Sequence, residues 1–203
     1  EVDNKFEKDE FVSFLPLAWI GEQMMCLSSA LLTGFTVNFP EKPETVQENI
    51  REIGPTIMFS PPRIWENMTS TVQVKVMDAS ALKRRMYNWA LPVGYAYSDA
   101  VFRKEAIPPL LRLKQRLAYA LVFRALKDRL GLLRIRSAST GGAALGPDVF
   151  KFFNAMGVNL KQIYGQTEIS GISCIHREGD INFDSVGKPI PETEIRLSDT
   201  GEI

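Results

Sequence analysis

Short apolar segments alternate with helix-like segments along the chain, and this alternation limits which folds it can adopt. The strand-like runs "FVSFLPL", "FTVNF" and "TIMFS" are each followed by a helix-like segment, and Gly34 and Gly54 close the first two of these. Parallel neighbouring strands need a long connection, which a helix of about a dozen residues supplies. The sequence therefore predicts an α/β fold with a parallel sheet and right-handed crossovers.

Residues 80–130 break this alternation with two long helix-like segments, the second of which runs from Pro109 to Leu130. We expect Pro92 and Gly94 to kink or interrupt the first. Strand-like segments then return, and they are "LRIRSAST", "NLKQIYG", "GISCIH" and "EIRLS". The sequence therefore predicts a helical insertion within one sheet-containing domain.

Composition excludes several classes of protein. No apolar run reaches the roughly 18 residues of a membrane-spanning helix, and the acidic start is unlike a signal peptide, so we expect a cytoplasmic protein. Cys26 and Cys174 lack metal-ligand spacing and are expected to be buried thiols, and the single His176 cannot complete a zinc site. The chain begins without Met and stops at "SDTGEI", so we expect a piece of a longer protein.

Positive charge is concentrated in residues 83–136, which hold 13 Lys or Arg against 3 Asp or Glu. One interpretation is a solvated helix face whose Leu, Ala and Phe pack inward. The other is a surface that contacts anionic membrane or a phosphate-bearing ligand. Aromatic residues do not alternate with the basic ones, so nucleic acid is not an expected partner.

Two glycine-containing loops follow predicted strands, at the edge of an open α/β sheet where ligands usually bind. In "STGGAALG", residues 139–146, the paired glycines let a ligand approach the backbone, and the next helix points its amide end toward the loop. That arrangement suits a flat base or a phosphate. The loop lacks the Lys and Ser/Thr of a P-loop, so a tight strand-to-helix turn is an equal explanation.

The second loop, "YGQTEISG" at residues 164–171, brings together a ring, a hydroxyl and a carboxylate. Tyr164 offers a ring for stacking, and Thr167 offers a hydroxyl to a phosphate oxygen. Glu168 offers the hard oxygen ligand that Mg²⁺ prefers. Stabilising charge on a phosphoryl transition state requires such groups. Spacing alone leaves a structural turn with a solvated Glu as the alternative.

Several stretches, in order and over nearly the whole chain, resemble the adenylate-forming (AMP-binding) enzymes, the superfamily of acyl-CoA synthetases, luciferases and nonribosomal-peptide adenylation domains. "YGQTE" resembles the family signature and "STGGAAL" its adenine-site glycine loop. The other similar stretches are "SFLPLAWIGEQ", "PTIMFSPPRIWENM", "VGKPIPETEIRL" and "TGEI". Together these stretches imply a partial AMP-binding domain at residues 1–203. The helical insertion is most similar to that of the long-chain fatty acyl-CoA synthetase branch.

The resemblance implies a ligase that activates a carboxylate, here a long-chain fatty acid, with ATP. The product is an acyl-adenylate, from which the thiol of coenzyme A takes the acyl group. ATP and Mg²⁺ are the implied cofactors, and coenzyme A is a cosubstrate.

Site residues follow from the same resemblance. Tyr164 would stack on adenine, Thr167 would bind the α-phosphate, and Glu168 would hold Mg²⁺. The residues implied to shape the nucleotide site through their backbone or turn are Gly141, Gly142, Ala143, Gly165 and Gln166.

The implied acyl site contains Trp19, Gly142 and Gly171. The family often has His where this chain has Trp19. The contact that His would make is therefore in doubt, and Trp19 could gate the acyl tunnel or pack in the core.

The family's phosphate loop is expected before residue 1, and its ribose-binding Asp and adenylation Lys are expected after residue 203. Residues 1–203 alone are therefore expected to be inactive. A non-catalytic interaction or regulatory domain of the same fold is an alternative, as is an aryl or amino acid adenylating enzyme.

Overall fold

The computed structural model describes residues 3–182 and 184–203 and contains the expected strand and helix units. The strands are β1 Glu10–Val12, β2 Thr36–Asn38, β3 Ile57–Ser60, β4 Ser137–Thr140, β5 Leu160–Tyr164, β6 Cys174–Ile175 and β7 Lys188–Pro189. The helices are α1 (residues 20–33), α2 Val46–Ile53, α3 Pro62–Met77, α4 Ala81–Phe102, α5 (residues 109–129) and α6 Pro147–Ala155. Single 3₁₀ turns lie at Pro43–Thr45 and Thr167–Ile169, and π-helical segments lie within α1 at Gln23–Ser29 and within α5 at Tyr119–Phe123.

The strands form two sheets whose long connections confirm the α/β prediction. β1 and β2 pair in parallel, and β3, β4 and β5 pair in parallel in that order. β6 and β7 extend the second sheet in antiparallel orientation. The Thr56 backbone N–H donates to the Glu10 carbonyl at 3.0 Å, which connects β1 to the start of β3. The carboxyl ends of β3, β4 and β5 therefore lie side by side.

Each face of the larger sheet has its own apolar core, because side chains alternate along a strand. Met58 packs into a cluster built mainly from α3 to α6, in which Trp65 and Phe153 meet edge to face at 4.9 Å between ring centroids. Ile57 and Phe59, on the other face, pack against residues of α1. Burying large apolar side chains contributes roughly 1.5–3 kcal/mol each.

Pro92 and Gly94 do not interrupt the first long helix, because α4 runs through both of them, so that part of the prediction is wrong and a kink there stays a prediction. Pro92 lies on the exposed face, where tertiary packing on the opposite face outweighs the lost backbone hydrogen bond. Gly94 is buried, and a Cβ there would lie 2.8 Å from Phe123 Cζ and 2.9 Å from Ala155 Cβ. Gly94 therefore permits close helix packing.

Helix α5 is only partly the inward-packing helix that the sequence predicts. Ala118, Val122 and Phe123 are buried. Its leucines do not all pack inward, since four of them are 46% to 62% exposed, namely Leu110, Leu113, Leu117 and Leu121.

Some basic residues in 83–136 form ion pairs or hydrogen bonds within the fold. Arg136 pairs with Asp9 at 2.5 Å, and Arg134 pairs with Glu10 at 3.1 Å. Lys127 is buried and donates to the Gly157 carbonyl at 3.2 Å. Membrane contact by the remaining basic residues stays a prediction. Among the described residues, no helix has the length and hydropathy needed to cross a bilayer.

Several short strand predictions need correction. "LRIRSAST" is a strand only from Ser137, and "FVSFLPL" contributes only the end of β1. "EIRLS" is not a strand, because residues 194–198 pair with none of the described strands, and the short β7 at Lys188–Pro189 is the strand that lies beside β6. Cys26 and Cys174 are buried and form no disulfide, as predicted.

Candidate functional site

The two glycine-containing loops lie side by side at the carboxyl edge of the larger sheet. β4 ends at Thr140 and leads into the first loop, while its neighbour β5 ends at Tyr164 and leads into the second. Parallel pairing places the two strand ends at the same edge. The fold therefore brings the two predicted site segments together.

A cavity of about 140 Å³ lies between these loops and α1. The predicted site residues that line it are Trp19, Gly141, Gly142, Gly165, Gln166, Thr167 and Gly171. The sequence did not identify its other lining residues, Ile20, Gly21, Met24, Phe59, Ile163 and Ile172. We call this space the loop cavity.

A second, wider cavity of about 620 Å³ lies on the other side of the glycine loop. It shares Trp19, Gly141 and Gly142 with the loop cavity and also contacts Ala143. Arg63 and Glu66, at the start of α3, add one charge of each sign to its wall. We call this space the outer cavity.

Trp19 lines both cavities, as Gly141 and Gly142 also do. Its indole stacks on Phe59 with 5.1 Å between ring centroids and 15° between ring planes. A Cβ on Gly142 would lie 3.5 Å from Trp19 Cζ2, and a Cβ on Gly21 would collide with Phe59. Trp19 is only half-buried, so it packs against the core while still facing the site.

The turn after β5 depends on the glycine at position 165. A Cβ on Gly165 would collide with the carbonyl oxygen of Gly171, so no other residue fits without moving the turn. The turn is closed by a hydrogen bond from the Gly171 N–H to the Gln166 carbonyl at 3.0 Å. Gly171 has a φ of +126°, which favours glycine. The backbone thus fixes where residues 166–168 sit.

Three predicted side chains of this turn are placed differently from one another. Thr167 is exposed and lines the loop cavity. Glu168 is exposed beside it and forms no ion pair with any residue in 3–182 or 184–203. The Tyr164 ring is half-buried outside both cavity linings, and its hydroxyl accepts a hydrogen bond from Gln166 Nε2 at 3.0 Å.

Gln162 is a structural part of the site that the sequence analysis did not identify. It is buried within β5, and its Nε2 donates to the carbonyl oxygen of Ala143 at 3.0 Å. The Leu145 N–H donates to Gln162 Oε1 at 3.3 Å. These bonds tie the glycine loop to the neighbouring strand. Gln162 follows Lys161 in β5, and both polar side chains are buried, so polar residue type alone did not single out Gln162.

His176 supports Gln162 from the antiparallel strand side. Its Nδ1 accepts a hydrogen bond from the Gln162 N–H at 3.0 Å, so the neutral ring donates from Nε2 to the Ser185 carbonyl at 2.9 Å. The ring is fully buried, and burial lowers the pKa of His176 below its ordinary value. His176 is therefore a neutral structural residue.

Three buried polar atoms near the carboxyl edge find no hydrogen-bond partner among the described residues. They are the hydroxyls of Ser60 and Thr140, which end β3 and β4 in register, and Oε2 of Glu22. Ser13 Oγ donates to the other Glu22 oxygen, and burial raises the pKa of Glu22. Unpaired buried polar atoms cost about 1–3 kcal/mol each. None of the three residues lines the loop cavity or the outer cavity.

Comparison with known proteins agrees with these observations. A family model described as AMP-binding enzyme matches residues 1–203. A putative fatty-acid–CoA ligase, fadD11 of Mycobacterium tuberculosis, is 27% identical over 195 residues, which cover 96% of this chain and 34% of that protein. The long-chain-fatty-acid–CoA ligase ACSBG2 of Rattus norvegicus is 31% identical over 175 residues, covering 83% of this chain and 26% of that protein. The chain thus spans no more than 34% of the length of these relatives.

Solved structures share the fold. A benzoate CoA ligase from Burkholderia xenovorans LB400 aligns with a TM-score of 0.59 at 19% identity, covering 98% of this chain and 31% of that one. The anthranilate CoA ligase AuaEII, in complex with anthranoyl-AMP, aligns with a TM-score of 0.57 at 19% identity, covering 97% and 29%. At this level of identity the likeness concerns the fold alone.

Proposed function

The chain belongs to the AMP-binding enzyme family, and on this basis we propose that it forms part of a long-chain fatty acid–CoA ligase. The observation that carries the proposal is the loop cavity, where the glycine loop, the Gln166–Thr167 turn and the apolar residues of α1 face one space. Polar backbone on one side and apolar side chains on the other suit the junction between a nucleotide and an acyl chain.

The proposed reaction has two steps. A carboxylate oxygen of the fatty acid attacks the α-phosphorus of ATP, and the bond from that phosphorus to pyrophosphate breaks. The thiol sulfur of coenzyme A then attacks the acyl carbon, AMP leaves with the bonding electron pair, and the thiol proton passes to solvent. The protein's task is to position reactants and stabilise charge, so no protein nucleophile is needed.

Nucleotide binding is assigned to the two loops. Gly141 and Gly142 present backbone without side chains, and Gln162 holds them in place. Thr167 is free to donate its hydroxyl to an α-phosphate oxygen. Tyr164 would stack on adenine from the half-buried position that it occupies.

Glu168 is the residue that would hold Mg²⁺. No cluster of three or more His, Cys, Asp or Glu that could bind a metal exists within residues 3–182 and 184–203. Protein sites for nucleotide-bound Mg²⁺ use one or two carboxylates together with phosphate oxygens, and the unpaired, exposed Glu168 fits that pattern. When bound, Mg²⁺ offsets the negative charge that grows on the phosphate oxygens.

The acyl chain is assigned to the α1 side of the loop cavity. Ile20, Met24 and Ile172 make this wall apolar, and Gly171 lies against Met24. The cavity holds about 140 Å³. Pockets that enclose small molecules measure about 300–1,000 Å³. The loop cavity is therefore too small for a long acyl chain unless a lining side chain such as Trp19 or Met24 moves. We assign this gating movement to Trp19.

ATP–pyrophosphate exchange in the whole protein that contains these residues tests the proposal. We expect exchange that depends on palmitate and is weak with benzoate or leucine. Exchange driven by benzoate or by an amino acid would support an aryl or amino acid adenylating enzyme instead. No exchange with any carboxylate, in folded protein, would favour a non-catalytic domain.

A further inference from the structure

Helices α3, α4 and α5 line most of a third pocket, which is partly open to solvent and shares no residue with the loop cavity or the outer cavity. Its volume is about 580 Å³, in the middle of the roughly 300–1,000 Å³ that small-molecule sites occupy. Val72 and Val76 of α3, Met86 of α4, and Val122 and Leu126 of α5 give it an apolar wall. We call it the helical pocket.

Positive charge surrounds the helical pocket. Lys75, Lys83 and Arg129 line it, against the single carboxylate of Asp78. None of these three cations forms an ion pair with the residues at 3–182 or 184–203. An apolar interior with unpaired cations beside it matches a molecule with an apolar body and an anionic head.

Tyr87 adds a neutral donor to this wall. Its side chain is 9% exposed and lines the pocket, and no described residue forms a hydrogen bond with its hydroxyl. Burial, helped by the neighbouring Tyr95, raises the pKa of Tyr87 to about 12, so the hydroxyl stays protonated and can donate. A carboxylate head could accept from it while facing the cations.

We propose that the helical pocket binds the anion of a free fatty acid, as a second site apart from the adenylation site. The alkyl chain lies between α3, α4 and α5, and the carboxylate faces Lys75, Lys83 and Arg129. Binding here requires neither ATP nor the loop cavity. The site therefore stands independently of the proposed ligase activity.

Calorimetric titration of the whole protein with laurate, below its micelle concentration, tests the proposal. Ala125 is an exposed residue of α5 that lines the pocket, so Ala125→Phe fills it with little disturbance of the core. We expect two laurates per wild-type chain and one per Ala125→Phe chain. Ala120→Phe, which adds the same bulk on α5 outside the pocket, should still bind two.

Stoichiometry separates this proposal from the proposed function. If the loop cavity binds no acyl chain, wild type binds one laurate and Ala125→Phe binds none. Equal stoichiometry in wild type and a folded Ala125→Phe overturns the helical-pocket site.

Charge reversal at the rim of the helical pocket is a second test, which can be made even if Ala125→Phe fails to fold. Reversing two rim charges, Lys83→Glu with Arg129→Glu, should weaken the helical-pocket site about tenfold or more. Reversing two exposed charges outside the pocket, Lys114→Glu with Arg116→Glu, should not. Unchanged laurate affinity in the rim variant, or equal binding of dodecyltrimethylammonium, would overturn the proposal.

Discussion

Gln162 and Ala143 join the glycine loop of the candidate site to strand β5, since the Gln162 side chain donates to the Ala143 carbonyl at 3.0 Å. The same side chain accepts from the Leu145 N–H. The buried side-chain amide of Gln162 therefore fixes the position of the glycine loop relative to β5. Without it, the loop would keep its glycines but lose its fixed position.

Gln162→Leu is expected to weaken ATP binding. It leaves the Ala143 carbonyl and the Leu145 N–H without their partner, and the buried Leu145 N–H alone costs about 1–3 kcal/mol when unpaired. Denaturant unfolding and the nucleotide dissociation constant measure the two effects. Gln115→Leu is the matched control, because Gln115 donates to the Ala155 carbonyl at 3.1 Å away from the site. A variant at 162 that binds ATP normally would remove the positioning role.

Gly165→Ala is expected to reduce kcat/KM about 100-fold, the effect of misplacing reacting groups by about 1 Å. The added Cβ collides with the Gly171 carbonyl and forces the Gln166–Glu168 turn to move. Gly146→Ala is the control, since it has a φ of −59° and nothing lies within 4 Å of its Cβ. Steady-state kinetics measure kcat/KM for both variants. If kcat/KM is the same in Gly165→Ala and Gly146→Ala, the turn does not position the reacting groups.

Trp19→Ala is expected to shift carboxylate preference toward bulkier substrates, because losing the indole joins the loop and outer cavities. It should also lower the free energy of unfolding by roughly 2 kcal/mol, less than for a fully buried Trp. Relative kcat/KM over a series of fatty acids measures the shift. Trp89→Ala, at a 39% exposed position on α4, should leave the preference unchanged. If the carboxylate preference of Trp19→Ala is unchanged, Trp19 serves only to pack against the core.

His176 is expected to make stability depend on pH between about pH 6.5 and the lower pKa of the folded state. The folded ring binds protons more weakly than the unfolded one, so its stabilisation is complete above the unfolded pKa and is lost as pH falls through the folded value. The free energy of unfolding at pH 7.5 and 5.5 should therefore differ more in wild type than in His176→Gln. Parallel pH profiles would show that His176 does not titrate in this range.

Much of the fold could be predicted from sequence because its strand and helix units carry strong local patterns. Gly34 and Gly54 do end helices with left-handed φ values. The errors arose where packing decides the outcome: Pro92 is tolerated in α4, and "EIRLS" pairs with no strand in the described part of the chain.

The candidate site was only partly predictable for a similar reason. Loop glycines and the "YGQTE" residues stand out by type, and parallel strand order predicts that the two loops meet. Phe59 and Gln162 do not stand out, because their roles depend on contacts across sequence distance, with Trp19 in one case and Ala143 in the other. Only the folded structure shows those contacts.

We propose that the turn after β5 carries the metal-binding carboxylate of an adenylate-forming site. ATP–pyrophosphate exchange driven by palmitate tests this role of Glu168 when wild type is compared with Glu168→Ala in the whole protein. Glu178→Ala, which removes another exposed carboxylate, serves as the control and should exchange normally. We expect Glu168→Ala to fold normally and to lose nearly all exchange, at least about 100-fold. Exchange at the wild-type rate in that variant would contradict it.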